Sequence, residues 1–235
     1  MPDTAAAPWT LTGTVAATRA AETAARLDLA APSAGLAVVE AGGTDHLLGI
    51  DLRAAAGPPA ERWVRGADLT AVYEPTDARR LRATAMWRVH PAAVAAWELV
   101  VSAQTSLLHA DATLAVVSDI ACEDASWGAP AANGGHRWEP LPASAPLPAQ
   151  AAFVLARRGA TAVVVAVHPR DPRRIAVTVA RGRARVECGI FPTAIEKGVI
   201  LRSRVLAAIG PAPNAESWAA ALCGAFTDSP PFLDT

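Results

Sequence analysis

The sequence predicts a mainly β fold, a large antiparallel β-sandwich with one amphipathic helix near the C-terminus. Short segments of alternating apolar and polar residues recur along the chain, a pattern typical of half-buried strands. Turn residues separate these segments at spacings that suit hairpins, and no regular alternation of strands and helices appears. After Asn214 the apolar period changes to that of a helix.

The clearest strands form a hairpin between residues 61 and 90. Polar and apolar residues alternate over 68–74 and again over 81–90, with a Pro-Thr-Asp turn between them. A turn centred on Ala78 sets the register and places Asp68 opposite Arg88 on the polar face. A slip by one residue would move every side chain to the other face, so the pattern specifies this register.

The other predicted strands follow in chain order. Residues 16–26 are rich in alanine and have helical propensity, but the alternation at 26–29 favours an extended strand over that helix. With the strands that the same alternation predicts along the rest of the chain, the total is about eleven.

One segment, residues 121–149, has no sustained periodicity and contains five prolines and three glycines. It is predicted to be a long loop within a single domain that spans residues 1–235. Loops of this length in a compact domain are usually functional or disordered.

The predicted helix runs from about Ala215 to Phe226. Asn214 suits the N-cap, and a Ser-Pro-Pro sequence stops the helix after residue 228. Trp218, Leu222 and Phe226 share one face, which we expect to pack on the sheet.

Composition excludes several classes of function. The net charge of −1 gives no general attraction to nucleic acid or anionic membranes. The three cysteines are widely spaced, so buried free thiols are expected and no CxxC metal site is present. No secretory signal and no apolar stretch long enough to span a bilayer appear, so a soluble, cytoplasmic protein is expected.

No sequence pattern supports a metal or another cofactor, and none is expected. His109, Asp111, Asp119 and Glu123 match no established ligand spacing. The motifs GxSxG, GxGxxG, GxxxxGK[ST] and HExxH are absent, so the corresponding catalytic classes are unsupported.

Arginines cluster between residues 157 and 185, where the sequence has eight of them. A basic stripe can follow a phosphate backbone. Charge runs more often form a solvated face, and stacking aromatics are scarce here. Nucleic acid is therefore ranked third among the expected partners.

The predicted loop carries the residues best suited to a ligand: Trp127, His136, Trp138 and Glu139. Tryptophan rings can cover the apolar faces of a sugar, and His136 with Glu139 could form an acid–base pair. In the alternative interpretation, both tryptophans cover an edge of the core.

Two further residues, Arg88 and Gln104, lie on outward strand faces and are predicted to bind sugar hydroxyls. A carbohydrate-binding or carbohydrate-processing protein is the first hypothesis, with a saccharide as partner and no reaction assigned. A non-catalytic module that presents a sheet face to a protein partner is the alternative.

The C-terminal part carries the sequence Glu-Lys-Gly-Val-Ile at 196–200, followed by Arg202 and Arg204. This stretch of about forty residues resembles the tail of bacterial β-sandwich proteins with no assigned activity. The overall architecture resembles the carbohydrate-associated sandwiches of the galactose mutarotase type. That resemblance implies a fold and a ligand class, while none of the family's catalytic residues can be placed on this sequence.

Overall fold

A computed structural model of the protein describes residues 8–40, 43–53, 57–131, 135–142, 144–171 and 173–229. These residues form twenty strands, where the sequence predicts about eleven, and one α-helix. All strand pairs are antiparallel. The mainly β, antiparallel prediction is therefore confirmed.

The first sheet has nine strands, numbered in chain order. In spatial order they are β1 (Trp9–Thr12), β2 (Val15–Ala20), β3 (Thr23–Asp28), β4 (Leu36–Glu40), β5 (Gly43–Asp51), β11 (Leu114–Ala121), β18 (Arg183–Ile190), β17 (Arg173–Ala180) and β14 (Ser144–Pro146). The alanine-rich segment 16–26 lies in β2, β3 and the two-residue turn between them, so the strand interpretation of this segment is correct.

The second sheet also has nine strands. In spatial order they are β13 (His136–Pro140), β12 (Asp124–Pro130), β15 (Phe153–Arg158), β16 (Thr161–Val167), β20 (Ile200–Pro211), β9 (Ala95–Gln104), β8 (Arg82–Val89), β7 (Asp68–Tyr73) and β6 (Glu61–Arg65). A small third sheet pairs β10 (His109–Asp111) with β19 (Ala194–Glu196).

The β7–β8 hairpin has the predicted register. Asp68 pairs with Arg88 and Leu69 pairs with Trp87. Residues Leu69 and Trp87 are fully buried, whereas Asp68 and Arg88 point to the other face of the sheet. The alternation of polar and apolar residues thus decides which side of the second sheet faces the interior.

The two large sheets share one hydrophobic core. Ile50 and Leu36 enter it from the first sheet, and Trp87 and Trp97 enter it from the second. The indole N–H of Trp87 donates to the carbonyl oxygen of Leu48, 3.0 Å away, across the gap between the sheets. Each fully buried aromatic side chain of this kind contributes strongly to the stability of the fold.

Helix α1 (Ala215–Asp228) lies against the opposite face of the second sheet, over β15, β16 and β20. Phe226 is fully buried there and Leu222 nearly so, while Trp218 is half-buried with its indole N–H bonded to the carbonyl oxygen of Pro211. The predicted N-cap is wrong in one respect. Asn214 adopts a left-handed φ of 59°, and its side chain makes no capping hydrogen bond.

The prediction of a long loop over 121–149 is wrong, because strands β12, β13 and β14 lie in this segment. Pro130 and Pro140 stand at the ends of their strands, and β13 is the edge of its sheet. Proline is tolerated at such positions because few ladder hydrogen bonds are lost. The prolines therefore mark the ends of short strands.

Within the described residues, no helix is long and apolar enough to cross a membrane. Cys122, Cys188 and Cys223 are buried free thiols, as predicted. Burial raises the pKa of Cys188 to about 12, so this thiol stays protonated at neutral pH.

Candidate functional site

The face of the second sheet that points away from the shared core carries a group of polar side chains beside helix α1. We call this group the outer polar face and define it by Asp68, Arg88, His90, Glu98 and Arg204. Strand alternation puts these side chains on one side, since their neighbours Leu69, Trp87 and Leu99 face the core. Arg88 and Glu98 are direct cross-strand partners.

Glu98 is the deepest group of the outer polar face. Its side chain is 1% exposed, and Oε1 accepts a hydrogen bond from the Nε–H of Arg204. Oε2 lies 3.6 Å from Nδ1 of His90 and has no hydrogen-bond partner among the described residues. Burial acts to raise the pKa of Glu98, but the proximity of His90 and Arg204 outweighs it and lowers the pKa. Glu98 is therefore a carboxylate at neutral pH.

Asp68 and Arg88 form a second ion pair on the same face. Arg88 donates from Nε to Oδ1 at 2.5 Å and from Nη2 to Oδ2 at 2.6 Å, the two-pronged geometry in which guanidinium and carboxylate match best. Both side chains keep a small exposed fraction, 15% for Arg88 and 20% for Asp68. The pair can therefore be reached from solvent while its geometry is held rigid.

Arg204 connects the outer polar face to the C-terminal end of α1. Its Nη groups donate to the carbonyl oxygen and the hydroxyl of Ser229, at 3.1 and 2.9 Å. Its guanidinium carbon lies 4.8 Å from the centre of the Phe226 ring. The backbone N–H of Arg204 donates to Oδ2 of Asp171. Arg204 is thus a positioning residue that holds Glu98 on one side and the helix on the other.

At the edge of the same face, Trp63 on β6 is 41% exposed. Trp63 pairs with Thr70, which lies two residues along β7 from Asp68 on the same face. The neighbouring Val64 packs towards the core, so Trp63 points to the outer side of the sheet. Three strand spacings of about 4.8 Å separate β6 from β9, so roughly 14 Å of sheet lie between Trp63 and the strand of Glu98. Trp63 also borders a shallow depression of about 560 Å³ beside β1.

Two predicted ligand residues, Arg88 and Gln104, do lie on this face. They are not close to each other, because Arg88 pairs with Glu98 and Gln104 lies six residues further along β9, roughly 20 Å away. Arg88 is already engaged by Asp68. Of the two, only Arg88 belongs to the outer polar face as defined above.

The structure does not bring together Trp127, His136, Trp138 and Glu139 as one site. Trp127 pairs with Glu139, and Trp138 pairs with Gly128, so Trp127 and Trp138 point to opposite faces of the sheet. Trp127 is 4% exposed and lies in the shared core, so it offers no surface for stacking. The alternative interpretation, in which tryptophan covers the core, is correct for this residue.

The predicted acid–base pair fails for the same reason. His136 points to the helix side, where its ring centre lies 5.1 Å from that of Phe153, whereas Glu139 points to the other side. Burial lowers the pKa of His136. The Glu139 carboxylate forms an ion pair with Arg137 at 3.0 Å. These two side chains cannot act on one substrate atom.

The described residues contain no cluster of His, Cys, Asp or Glu side chains that could hold a metal ion. Several of the arginines between 157 and 185 make contacts within the protein. Arg157 pairs with Asp124 and Glu216, and Arg183 pairs with Asp119. These contacts favour a structural role for the arginine-rich segment.

Sequence reasoning missed Trp63, His90, Glu98 and Arg204 as site residues. A signal for Glu98 was present, since it is the one charged residue within the apolar strand sequence Ala-Ala-Trp-Glu-Leu-Val-Val. A charge in a strand of this kind is costly unless it is paired. The partner could not be identified, because Arg204 is 106 residues away in the chain.

No family model matches the chain, and no curated protein matches it in sequence. Solved structures do match in fold. The galactosidase domain of an α-galactosidase–sucrose kinase has a TM-score of 0.54 at 9% identity, over 86% of this chain and 41% of that one. A candidate aldose 1-epimerase from Escherichia coli K12 has a TM-score of 0.50 at 10% identity, over 86% of this chain and 98% of that one.

A heparan sulfate lyase mutant from Pedobacter heparinus gives a TM-score of 0.54 at 9% identity, over 89% of this chain and 37% of that one. This chain thus spans less than half the length of the lyase and of the galactosidase protein. The comparisons confirm the resemblance predicted from the sequence at the level of the fold, since a galactosidase domain and a candidate aldose 1-epimerase share the architecture of this chain. At these identities the likeness concerns the fold.

Proposed function

We propose that the protein binds a saccharide on the outer polar face. The observation that carries this proposal is the Glu98 carboxylate, which is buried and charged and whose Oε2 makes only a long contact of 3.6 Å with Nδ1 of His90. A buried polar atom without a short hydrogen bond costs free energy, which a ligand hydroxyl can recover by donating to Oε2 once the His90 side chain, 15% exposed, moves aside. The names of the solved structures that share the fold, a galactosidase, an epimerase and a heparan sulfate lyase, support a carbohydrate ligand.

The arrangement suits a sugar longer than one ring. Asp68 and Arg88 offer acceptors and donors in a fixed geometry next to Glu98, and hydroxyl groups can use both. Trp63 supplies an exposed aromatic surface on the same side of the sheet, on which the C–H face of a sugar can pack. We assign no reaction to this site.

A glycan array screened with the unmodified protein, Trp63→Ala and Trp138→Ala tests the proposal. Trp138 is a matched control, since it lies on the same sheet face but beyond helix α1, where it packs near Phe153. We expect Trp63→Ala to bind at least tenfold more weakly, about 1.4 kcal/mol, and Trp138→Ala to bind as the unmodified protein does. Each glycan that binds is then assayed by NMR for conversion by the protein.

The proposal fails if no glycan binds the unmodified protein, or if binding is lost with Trp138→Ala and kept with Trp63→Ala. The predictions of one domain over residues 1–235 and of a cytoplasmic location stay predictions. Limited proteolysis and cell fractionation test them.

A protein-interaction module is the second candidate, and one observation favours it. Four exposed apolar side chains lie close together where β9 ends and β20 begins. Leu107 and Leu108 follow β9, Val199 precedes β20, and Ile200 is its first residue. Contiguous exposed apolar residues often mark a contact with another protein. If this interpretation is correct, Leu108→Asp should abolish capture of a specific partner while leaving glycan binding unchanged, as checked by pull-down and by the array.

A further inference from the structure

A pocket of about 340 Å³ lies at one end of the shared core, on the side of the β7–β8 turn. Three of its lining residues, Tyr73, Leu81 and Ala83, belong to the core, and Leu52 and Pro58 add apolar surface from the first sheet's side of the molecule. This volume falls at the lower end of the range seen for small-molecule sites. The pocket is separate from the outer polar face, because Tyr73 and Ala83 point to the core side of the sheet.

Arg79 gives this pocket a positive charge. Its Nη1 and Nη2 each donate to a main-chain carbonyl oxygen, of Leu52 and of Thr113, both at 2.6 Å. Its Nε–H is buried and has no acceptor among the described residues. Two neutral carbonyls fix the guanidinium in place, but they do not neutralise it, and each Nη keeps a second N–H.

The described residues form no ion pair with Arg79 that could supply a counter-charge. Burial lowers the pKa of Arg79, and the more distant charges of Asp111 and Asp51 act against this. Arg79 still carries its charge at neutral pH, because a guanidinium is not deprotonated in proteins. Glu74 also lines the pocket, but its carboxylate pairs with Arg82 at 3.0 Å on the outer face.

We propose that this pocket binds a small carboxylic acid with an apolar body. The carboxylate would sit against Arg79 and accept charge-assisted hydrogen bonds from it. The apolar body would pack against Leu52, Leu81 and Ala83. This inference does not depend on saccharide binding, since it concerns another face of the molecule and another class of ligand.

Phenylacetate and phenylacetamide are suitable probes, because they have the same shape and differ in charge. We expect isothermal titration calorimetry to show phenylacetate binding at least tenfold more tightly than phenylacetamide. The methyl NMR signals of Leu81 and Ala83 should shift with phenylacetate. Equal affinity for the two probes, no binding of phenylacetate at millimolar concentration, or shifts confined to other residues would overturn the proposal.

Arg79→Gln should remove the preference for phenylacetate, whereas Arg80→Gln should preserve it. Arg80 is the matched control, since it carries the same charge one residue away, on an exposed side chain paired with Asp77. Arg79 also holds its loop in place, so Arg79→Gln could lose binding by misfolding. A second variant that keeps Arg79 is therefore needed. Ala83→Val keeps Arg79 and fills part of the pocket, and it should weaken phenylacetate binding at least tenfold. Unchanged binding in that variant would place the ligand elsewhere.

Discussion

Replacing Glu98 by glutamine tests how much the buried ion pair between Glu98 and Arg204 stabilises the protein. The variant keeps the size of the side chain and an oxygen for the Nε–H of Arg204, but it leaves the Arg204 charge without its buried counter-charge. Glu98 is 1% exposed and Arg204 is 3% exposed, so water screens the pair very little. Breaking a buried pair by removing one partner costs about 3–5 kcal/mol. We expect about 3 kcal/mol, because Arg204 retains its bonds to Ser229.

Urea denaturation at pH 7 measures this loss, and Glu74→Gln is the matched control. Glu74 pairs with Arg82 on the same face of the same sheet, but its side chain is 49% exposed. Pairs that face solvent contribute about 0–1 kcal/mol, so the control should lose no more than that. The double variant Glu98→Gln/Arg204→Met should be more stable than the sum of the single losses predicts, since no unpaired charge remains.

The loss of stability in Glu98→Gln should also depend on pH. The pKa of Glu98 is lowered in the folded protein, so its stabilising contribution is present above its unfolded pKa of about 4.3. That contribution is lost as the pH falls through the lower, folded pKa. The difference between the unmodified protein and Glu98→Gln should therefore be full at pH 7 and shrink below about pH 4. A loss in Glu98→Gln no larger than in Glu74→Gln would refute this reasoning.

Three further outcomes are expected. Trp87→Phe should lower the free energy of unfolding by about 1–3 kcal/mol in urea denaturation, because it leaves the buried carbonyl oxygen of Leu48 without its donor. A smaller loss would mean that this hydrogen bond contributes little. Phe226→Ala should lower the free energy of unfolding by about 3–5 kcal/mol, because Phe226 is fully buried. Trp218→Ala should lower it less, because Trp218 is half-exposed. The reverse order would contradict the described packing. Binding of DNA should be weak and vanish by about 200 mM salt in a filter-binding assay, and tight binding at that salt would restore nucleic acid as a partner.

The parts of the fold that the sequence could predict are those in which one face of a strand is buried. In the β7–β8 hairpin, the alternation around Leu69 and Trp87 allows a single register, and the structure has that register. The same alternation predicts Arg88 on an outward face. Local pattern is sufficient here because strand pairing and burial depend on residues close together in the chain.

The candidate site could not be predicted in the same way. Strand β13 is short and is the edge of its sheet, β12 lies next to it, and each of the two ends in proline, so their periodicity is too brief to separate from a loop. The sequence predicts Trp127 and Trp138 in one site, but the register between β12 and β13 places them on opposite faces of the sheet. Glu98 and Arg204 meet because β9 pairs with β20, a contact that sequence spacing does not indicate.

Arg204 lies between the sheet and helix α1, and it connects binding at Glu98 with the stability of the helix end. Its guanidinium bonds to Glu98 on one side and to Ser229, the residue that follows the helix, on the other. A molecule that draws the Glu98 carboxylate towards itself would therefore change how firmly the end of the helix is held. By thermodynamic reciprocity, any loosening of the helix end would change the affinity at Glu98 by the same free energy. A probe attached to the last turn of the one described α-helix should therefore read out binding at Glu98.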